Sequence, residues 1–303
     1  MSDKTTVLVL GSTGMLGTKI VNALLDKGET EVRAMVRPNS YGKEDKRQNI
    51  EAMKDKGAII VEGDLMKPDS LLRVFEGVDV VVSAVGNSKV TVPGQKNAID
   101  SAKKQGVTRF IPSDFSVDYR KIDYGENDNL DMRKEVLEHL QKSGLDYTLI
   151  LNGSFVDILP TPYMPEFDLE NGIFQYWGDG DTPVDMTTTE DTAKYTAEAV
   201  SDTGLVNTAL EVAGESLTMK QLQAAYESAT GKKLEIKHLG SVTELKSWID
   251  DRKQTADSPL EYIPRQYEYV MISSKGKLDN IQNSRYPHIK PLTVKQYIEQ
   301  AGL

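Results

Sequence analysis

Short apolar runs alternate with longer amphipathic stretches through the first half of the chain. Six runs have the length and the β-branched content of buried strands, and they lie at Thr6–Leu10, Glu31–Val36, Ala58–Val61, Val78–Val85, Thr108–Ile111 and Asp146–Leu151. The stretches between them predict helices ending at Lys27, within Pro38–Lys56, and over Pro68–Glu76, Pro93–Gln105 and Leu130–Lys142. Strands that alternate with helices indicate βαβ units with right-handed crossovers. We therefore predict an α/β fold built on a Rossmann-type, doubly wound parallel sheet.

After residue 152 this alternation stops. Prolines 160, 162 and 165 mark an irregular segment, and the GDGDT sequence between Ile173–Trp177 and Val184–Thr188 predicts a hairpin. A helix is expected over Glu190–Ser201, capped by Thr189 or Asp191, and Asp251–Pro264 has the composition of a polar loop. Shorter elements are expected at 209–212, 219–230, 234–239 and 294–300. We predict a domain over residues 1–152 and a smaller C-terminal α/β lobe over 153–303, with the chain crossing back to the sheet.

A glycine motif follows the first predicted strand and opens the first predicted helix. Gly11, Gly14 and Gly17 have the spacing G-x-x-G-x-x-G, which is typical of extended short-chain dehydrogenases. The first glycine permits a tight turn, the second lets a pyrophosphate approach the backbone, and the third lets the helix pack on the sheet. A loop–helix junction without a ligand is the alternative. The residues of the motif expected at a cofactor are Gly11, Thr13, Gly14, Met15, Leu16 and Gly17.

The end of the second strand bears on the choice of cofactor. An NAD-binding protein usually carries an acidic residue there, but this chain has Arg37. A guanidinium suits the 2′-phosphate of NADP, and Ser40 and Lys43 on the following loop are further donors. NADP(H) is therefore expected, unless Arg37 is only a solvated charge at the strand end.

Two further strand ends are candidates for cofactor contacts. Asp64, followed by Leu65, comes after the third strand, where a carboxylate can accept from an adenine amino group or cap a helix; both interpretations stay open. Ala84, Val85 and Gly86 end the fourth strand. The carboxyl ends of the central strands face the ligand in this fold.

Composition excludes several classes of function. The 46 acidic and 36 basic residues leave a net charge of −10, which disfavours nucleic acid and anionic membranes as partners. There are no cysteines, and the three histidines are far apart in sequence, so no metal site is expected. No signal peptide or membrane helix is evident, and a cytoplasmic location is expected. A small-molecule substrate fits these features best, and the oligomeric state stays open.

Several motifs together resemble a known family. GSTGMLG, AMVRPNS, EGDL, DVVVSAVG, RFIPSDF, LDYTLILNGSF, WGDGDTPVDMTTTEDTAKYTAEAV and SRYPHIKPLTVKQYIEQ occur in the order found in NmrA-like and isoflavone-reductase-like proteins. The resemblance implies an atypical short-chain dehydrogenase with an NADP(H)-binding domain and a C-terminal substrate lobe. Its members include reductases of phenylpropanoid ethers and isoflavones, quinone or dye reductases, and redox sensors that act on transcription factors.

The resemblance also assigns roles to residues. The family's catalytic lysine falls on Arg133, with Lys134 one residue further on, and an arginine cannot act as a proton-transfer base near neutral pH. The Tyr-x-x-x-Lys pair of short-chain dehydrogenases has one match, Tyr286 and Lys290, which we interpret as accidental. Ser113 is a further catalytic candidate, as a hydroxyl near the nicotinamide, and is also expected at the cofactor. Phe115, Asn152, Gly153 and Phe155 are expected near the cofactor, and Tyr124, Met164 and Trp177 are candidates for substrate binding or for core packing.

Two functions remain open at this point. One is an NADPH-dependent reductase that passes hydride to a conjugated, aromatic or quinone-like acceptor. The other is an NADP(H)-binding redox sensor that acts through a protein partner without turnover. The first is slightly favoured, because RFIPSDF and the substrate lobe are both present.

Overall fold

The computed structural model of the protein describes residues 4–86 and 88–303, so residues 1–3 and residue 87 lie outside it. The strands are β1 Thr5–Leu10, β2 Thr30–Val36, β3 Ile59–Glu62, β4 Val80–Ser83, β5 Arg109–Ile111, β6 Asp146–Leu151, β7 Ser154–Phe155, β8 Phe167–Asp168, β9 Ile173–Trp177, β10 Val184–Thr187, β11 Thr208–Glu211, β12 Glu215–Leu217 and β13 Glu235–Gly240. The α-helices are α1 Met15–Lys27, α2 Glu44–Asp55, α3 Pro68–Val74, α4 Ser88–Lys104, α5 Asp128–Ser143, α6 Thr189–Ser201, α7 Met219–Thr230, α8 Val242–Thr255, α9 Ile263–Ile272 and α10 Val294–Ala301.

The chain divides into two compact units. Of the described residues, unit 1 contains 4–86, 88–115, 132–150 and 192–210, and unit 2 contains 116–131, 151–191 and 211–303. The division of the sequence into domains at residue 152 stays a prediction. Among the helices of the described residues, none is both long and apolar enough to cross a membrane.

A seven-stranded sheet forms the centre of unit 1. Its order is β11-β6-β5-β4-β1-β2-β3, and the pairings of β1 with β2 and β4, of β2 with β3, and of β5 with β4 and β6 are parallel. The chain first adds β2 and β3 on one side of β1 and then adds β4, β5 and β6 on the other side. This is the doubly wound topology. The predicted fold class is confirmed, and the order reverses between β1 and β4.

The sheet is buried because its strands are apolar on both faces. The four residues of β4 are all buried, as the run of valines predicted, and five of the six in β1 are buried. Leu8, Val81 and Phe110 have no exposed surface and belong to one core cluster with residues of α3, α4 and α5. This core fixes the carboxyl ends of the strands, where a ligand would bind.

The last strand of the sheet comes from the second half of the sequence. Helix α6 and the turn after it lead back to β11 at the edge, next to β6. The guanidinium of buried Arg109 donates to the main-chain oxygens of Val200 and Asp202, so it caps the carboxyl end of α6. Residues 192–210, which lead into this edge strand, therefore belong to unit 1.

Unit 2 contains two three-stranded sheets, in the orders β12-β10-β7 and β13-β9-β8. The predicted hairpin of Ile173–Trp177 with Val184–Thr188 is wrong, because β9 and β10 belong to different sheets. Each is the central strand of its own sheet and has both edges paired elsewhere. The intervening Gly178 and Gly180, both at positive φ, turn the chain from one sheet to the other.

Two local predictions are corrected. Asp251–Pro264 is not a loop, because α8 continues to Thr255 and α9 begins with Pro264 in its first turn. Polarity was misleading there, since α8 buries only Leu245 and Ile249, one turn apart. The helix predicted to begin at Pro93 is α4, which begins five residues earlier, at Ser88, and continues through Pro93.

The cap of α6 is also different from the one predicted. The Thr188 side-chain oxygen accepts from the main-chain N–H of Asp191 at 3.0 Å, so Thr188 caps the helix. Thr189 lies within the helix, and its main-chain N–H donates to Asp157 at 2.7 Å.

Candidate functional site

A cleft of about 760 Å3 lies in unit 1 at the carboxyl ends of the strands where the sheet order reverses. It is lined by the loops that follow β1, β2, β3 and β4. The residues of the sequence prediction that line it are Gly11, Thr13, Gly14, Arg37, Ser40, Asp64, Leu65, Ala84, Val85 and Gly86. The position agrees with the general rule that ligands of open α/β sheets bind at the switch in strand order.

The glycine motif forms one wall of this cleft, and its three glycines differ in what surrounds them. A Cβ on Gly11, which has a φ of 73°, would lie 2.5 Å from the Ala84 main-chain oxygen. A Cβ on Gly17 would lie 2.1 Å from the Gly11 oxygen, so these two glycines are required for the loop to pack. Gly14 is exposed, and a Cβ there would meet only the Gly11 oxygen, at 3.2 Å.

The start of α1 is open to an anion. Gly14 caps the helix without a side-chain hydrogen bond, and no acidic residue lies in the first turn. The free N–H groups and the positive end of the helix dipole therefore remain available to a phosphate. The Ser12 hydroxyl donates to the Met35 oxygen at 2.7 Å and fixes the loop against β2. Met15 and Leu16 lie in the first turn of this helix.

Positive charge lines the side of the cleft beyond β2. Arg37 is exposed at the end of that strand, and Ser40 is buried in the turn that follows. Lys46, in the first turn of α2, also lines the cleft and was missed by the sequence analysis. Lys43, which was proposed instead, is the residue before α2 and lies outside the lining. Which of the two lysines lines the cleft depends on the residue at which α2 begins. The sequence analysis placed this helix only within Pro38–Lys56 and did not locate its first residue.

The loop after β3 closes the cleft on the other side. The Asp64 Oδ1 accepts from the Met66 N–H at 3.0 Å, so this carboxylate makes the turn before α3. The Asn97 side chain on α4 donates to the Leu65 oxygen at 2.8 Å. Asp64 does not cap α3, because Lys67 is the N-cap residue of that helix and no side chain caps it. Asp64 lines the cleft, and its adenine contact stays a prediction.

The segment that follows β5, also in unit 1, holds the catalytic candidate Ser113 and is contacted by a second candidate on α5. Ser113 and Phe115 are buried, and the Ser113 N–H donates to the Gln95 Oε1 of α4 at 2.9 Å. The Arg133 Nε donates to the Asp114 main-chain oxygen at 2.8 Å. Arg133 therefore contacts the segment that carries Ser113. Lys134 is half-buried on the next position of α5.

Three other predicted cofactor residues lie in unit 2. Asn152 is fully buried, and its main-chain N–H donates to the Ser116 oxygen at 3.0 Å. A Cβ on Gly153, which has a φ of 68°, would lie 2.1 Å from the Asp185 oxygen, so only glycine fits. Phe155 is half-buried and pairs with β10.

The three candidate substrate residues, also in unit 2, differ in exposure. Tyr124 is 58% exposed, whereas Met164 is 3% exposed and therefore part of the packing of this unit. Trp177 is half-buried at the end of β9, and its main-chain N–H donates to the Glu268 carboxylate at 3.2 Å. Tyr286 and Lys290, the accidental match, lie outside any helix.

The sequence analysis did not identify a pair of buried acidic residues in unit 2. Glu166 and Glu268 are almost without exposed surface, and Arg265 forms an ion pair with Glu268. Burial, and secondarily the charge of Glu268, raise the pKa of Glu166 to about 8. The folded protein therefore favours the protonated form of Glu166 over a wider pH range than the unfolded chain does.

The fold and cleft define a class, the dinucleotide-binding α/β proteins of the Rossmann type. The chain belongs to the NmrA-like family, whose sequence pattern matches residues 3–300. Pinoresinol reductase 1 of Arabidopsis thaliana is 30% identical over 249 residues, which cover 77% of each protein. An isoflavone reductase-like protein of Olea europaea is 28% identical over 316 residues, which cover 99% of each.

A solved structure is similar over the same length. The structure of AtPrR2 with NADP+ and (+)pinoresinol has a TM-score of 0.86 and 25% identity, and the match covers 99% of both chains. The resemblance seen in the sequence motifs is thereby confirmed.

Proposed function

We propose that this protein is an NADPH-dependent reductase that transfers hydride to a small conjugated acceptor of aromatic or quinone-like type. The observation that carries the proposal is the cleft itself. It combines a glycine-walled helix start with cationic side chains at the end of β2. The relatives named above as reductases, and the similar structure with NADP+, support the same activity.

The residues present fit NADPH. The N–H groups at the start of α1 suit the pyrophosphate, which Gly14 admits because it has no side chain. Arg37 and Lys46 line the cleft where a 2′-phosphate needs positive charge, and Ser40 adds a hydroxyl. NADPH, when bound, supplies the hydride, and the protein supplies position and exclusion of water.

The assignments beyond this cleft stay predictions. Ser113 and Phe115 are proposed to contact the nicotinamide half of the cofactor, since they follow β5 at the carboxyl edge of the sheet. Asn152, Gly153 and Phe155 are assigned to the cofactor by the family resemblance alone. Residues 153–303 are proposed as the substrate lobe, with Tyr124 and Trp177 as its more accessible candidates and Met164 as a packing residue.

The class of acceptor follows from Arg133. A guanidinium keeps its proton near neutral pH, and the Nε of Arg133 is engaged by the Asp114 oxygen. This position therefore orients the chain and does not relay a proton. Acceptors such as quinones and dyes, whose reduced forms take protons from water, are the substrates that fit best.

The deciding experiment measures NADPH oxidation across a panel of quinones, dyes and enones, together with the affinity for NADPH. The proposal expects micromolar or tighter binding and turnover above background with quinones or dyes. Tight NADPH binding without turnover for any acceptor would overturn the reductase and leave a redox sensor. Absence of NADPH binding would overturn both.

A further inference from the structure

Helix α4 holds one fully buried polar side chain that the cofactor cleft does not explain. Gln95 has no exposed surface, and its Oε1 accepts the Ser113 N–H at 2.9 Å. Its Nε2 makes no hydrogen bond with any of the residues that the structure describes. Burying an amide with unsatisfied N–H groups opposes folding, so packing alone would be better served by an apolar residue.

A second buried polar atom lies at the neighbouring strand end. The Oγ of Ser83, the last residue of β4, is fully buried and also has no hydrogen-bond partner among the described residues. The register of β4 and β5 pairs Val82 with Ile111, so Ser83 lies beside Pro112 and one residue from Ser113. Two buried polar side chains with unused hydrogen-bonding capacity thus belong to the region where β4 and β5 end, one on β4 and one bonded to the segment after β5.

We propose that Gln95 is a positioning residue for hydride transfer. It bonds the Ser113 main chain and so fixes the segment from Ser113 to Phe115 against the ends of β4 and β5. This inference rests on the proposed function, which assigns that segment to the nicotinamide half of NADPH. Gln95 touches no ligand itself, since it has no exposed surface.

The geometry separates two halves of the cofactor site. Asn97, two residues along the same helix, donates to the Leu65 oxygen on the adenine side. Gln95 instead accepts from the segment after β5. Loss of the Gln95 contact should therefore disturb the nicotinamide half and leave the adenine half intact.

The test compares Gln95→Leu and Gln95→Glu with a control, Ser101→Ala, which removes a different buried polar group, a hydroxyl, from α4. Leucine has similar volume but no acceptor, whereas glutamate keeps an acceptor oxygen. Three measurements are made. They are the affinity for 2′,5′-ADP, a fluorescence titration that gives the NADPH affinity and the change in NADPH fluorescence on binding, and the single-turnover rate of hydride transfer to menadione.

Gln95→Leu is expected to bind 2′,5′-ADP within about twofold of the wild type. Its hydride-transfer rate should fall at least about tenfold, and the NADPH fluorescence change should shrink. Gln95→Glu should recover most of both, and Ser101→Ala should match the wild type. If Gln95→Leu does not fold, Gln95→Asn, which is one methylene too short to reach Ser113, carries the same expectation.

Two results would overturn the proposal. One is a wild-type rate and fluorescence in Gln95→Leu or Gln95→Asn. The other is equal loss of 2′,5′-ADP and NADPH affinity, which would make Gln95 a general structural residue. Failure of the reductase function is a different result, because the wild-type protein would then show no binding or no turnover. If it binds without turnover, the fluorescence comparison still decides the role of Gln95.

Discussion

The side chain of Arg133 reaches from α5 to the main-chain oxygen of Asp114, with 2.8 Å between its Nε and that oxygen. The family resemblance expects a catalytic lysine at this position. A lysine can exchange its proton when burial and neighbouring charge permit, whereas a guanidinium cannot near neutral pH. We interpret this arginine as replacing a proton-transfer group by a contact with the segment that carries Ser113.

Arg133→Lys should therefore restore a proton relay. We expect it to gain activity toward enones, whose reduction needs a proton at carbon, while turnover of quinones and dyes changes little. The pH profile of the enone reaction should acquire an inflection that the wild-type protein lacks. Steady-state rates across the pH range check this.

Lys134→Ala is the companion variant, because Lys134 is the adjacent residue on α5. Neighbouring positions on a helix point about 100° apart, so Lys134 is expected to be dispensable. Loss of turnover in Lys134→Ala alone would show that the working lysine is Lys134. If neither Arg133→Lys nor Lys134→Ala changes turnover with any acceptor, α5 has no role in the chemistry.

Cofactor preference should depend on the cationic side of the cleft. Arg37→Ala should weaken NADPH binding by about 10–150-fold, which corresponds to about 1.5–3 kcal/mol for a charged hydrogen bond, and should leave NADH nearly unchanged. Lys46→Ala should act in the same direction. Lys54→Ala, two turns further along α2 and outside the cleft, is the matched control. Calorimetric titration with both cofactors measures this, and equal loss of both would contradict the role of Arg37.

The glycines of the motif should separate binding from folding. Gly14→Val should fold, because Gly14 is exposed with extended backbone, but it should lose NADPH binding because the side chain takes the place of the pyrophosphate. Gly17→Ala should destabilise the protein by about 3 kcal/mol, since its Cβ would lie 2.1 Å from the Gly11 oxygen. Thermal unfolding and NADPH titration distinguish the two. Normal binding by Gly14→Val would reduce the motif to a turn.

The buried acid Glu166 should make stability fall with rising pH. Its pKa of about 8 in the folded protein lies above its ordinary value of 4.5. The folded state therefore keeps a proton that the unfolded chain releases between these values. Its contribution is fully present below about pH 4.5 and is lost as pH rises toward about 8, with a slope of up to about 1.4 kcal/mol per pH unit.

Glu166→Gln removes this titration and keeps the shape of the side chain. The stability difference between variant and wild type should grow in favour of the variant from about pH 5 to about pH 8. Urea unfolding at both pH values measures it, and the comparison cancels the pH dependence of groups that do not interact with Glu166. Parallel stability curves for the two proteins would show that Glu166 is ionised throughout, paired with Arg265.

The fold of unit 1 follows from local patterns and was predictable. Each βαβ unit is formed by a continuous stretch of sequence, so its strands and helices can be recognised from local patterns. Strand Asp146–Leu151 and the helix that ends before Gly144 were therefore placed correctly. Unit 2 was less predictable, because partners such as β9 and β13 are far apart in the chain. Nothing local to Ile173–Trp177 indicates that its neighbour is not the next strand.

The candidate site shows the same distinction. Gly11, Gly14 and Arg37 belong to motifs with fixed spacing, and the cleft contains them. Lys46 depends on where α2 begins, and Gln95 depends on a contact with Ser113 across 18 positions. A buried glutamine within an otherwise ordinary helix gives no sequence signal of its partner.

The seventh strand of the central sheet has a consequence for synthesis of the chain. Strand β11 lies at residues 208–211, so β6 is an uncovered edge until more than fifty further residues have emerged from the ribosome. Exposed edges recruit other strands, which makes this interval the vulnerable stage of biogenesis. A fragment that ends at residue 152 would keep the β6 edge exposed. Adding residues 189–211 as a separate peptide would supply the missing strand β11 and could cover that edge.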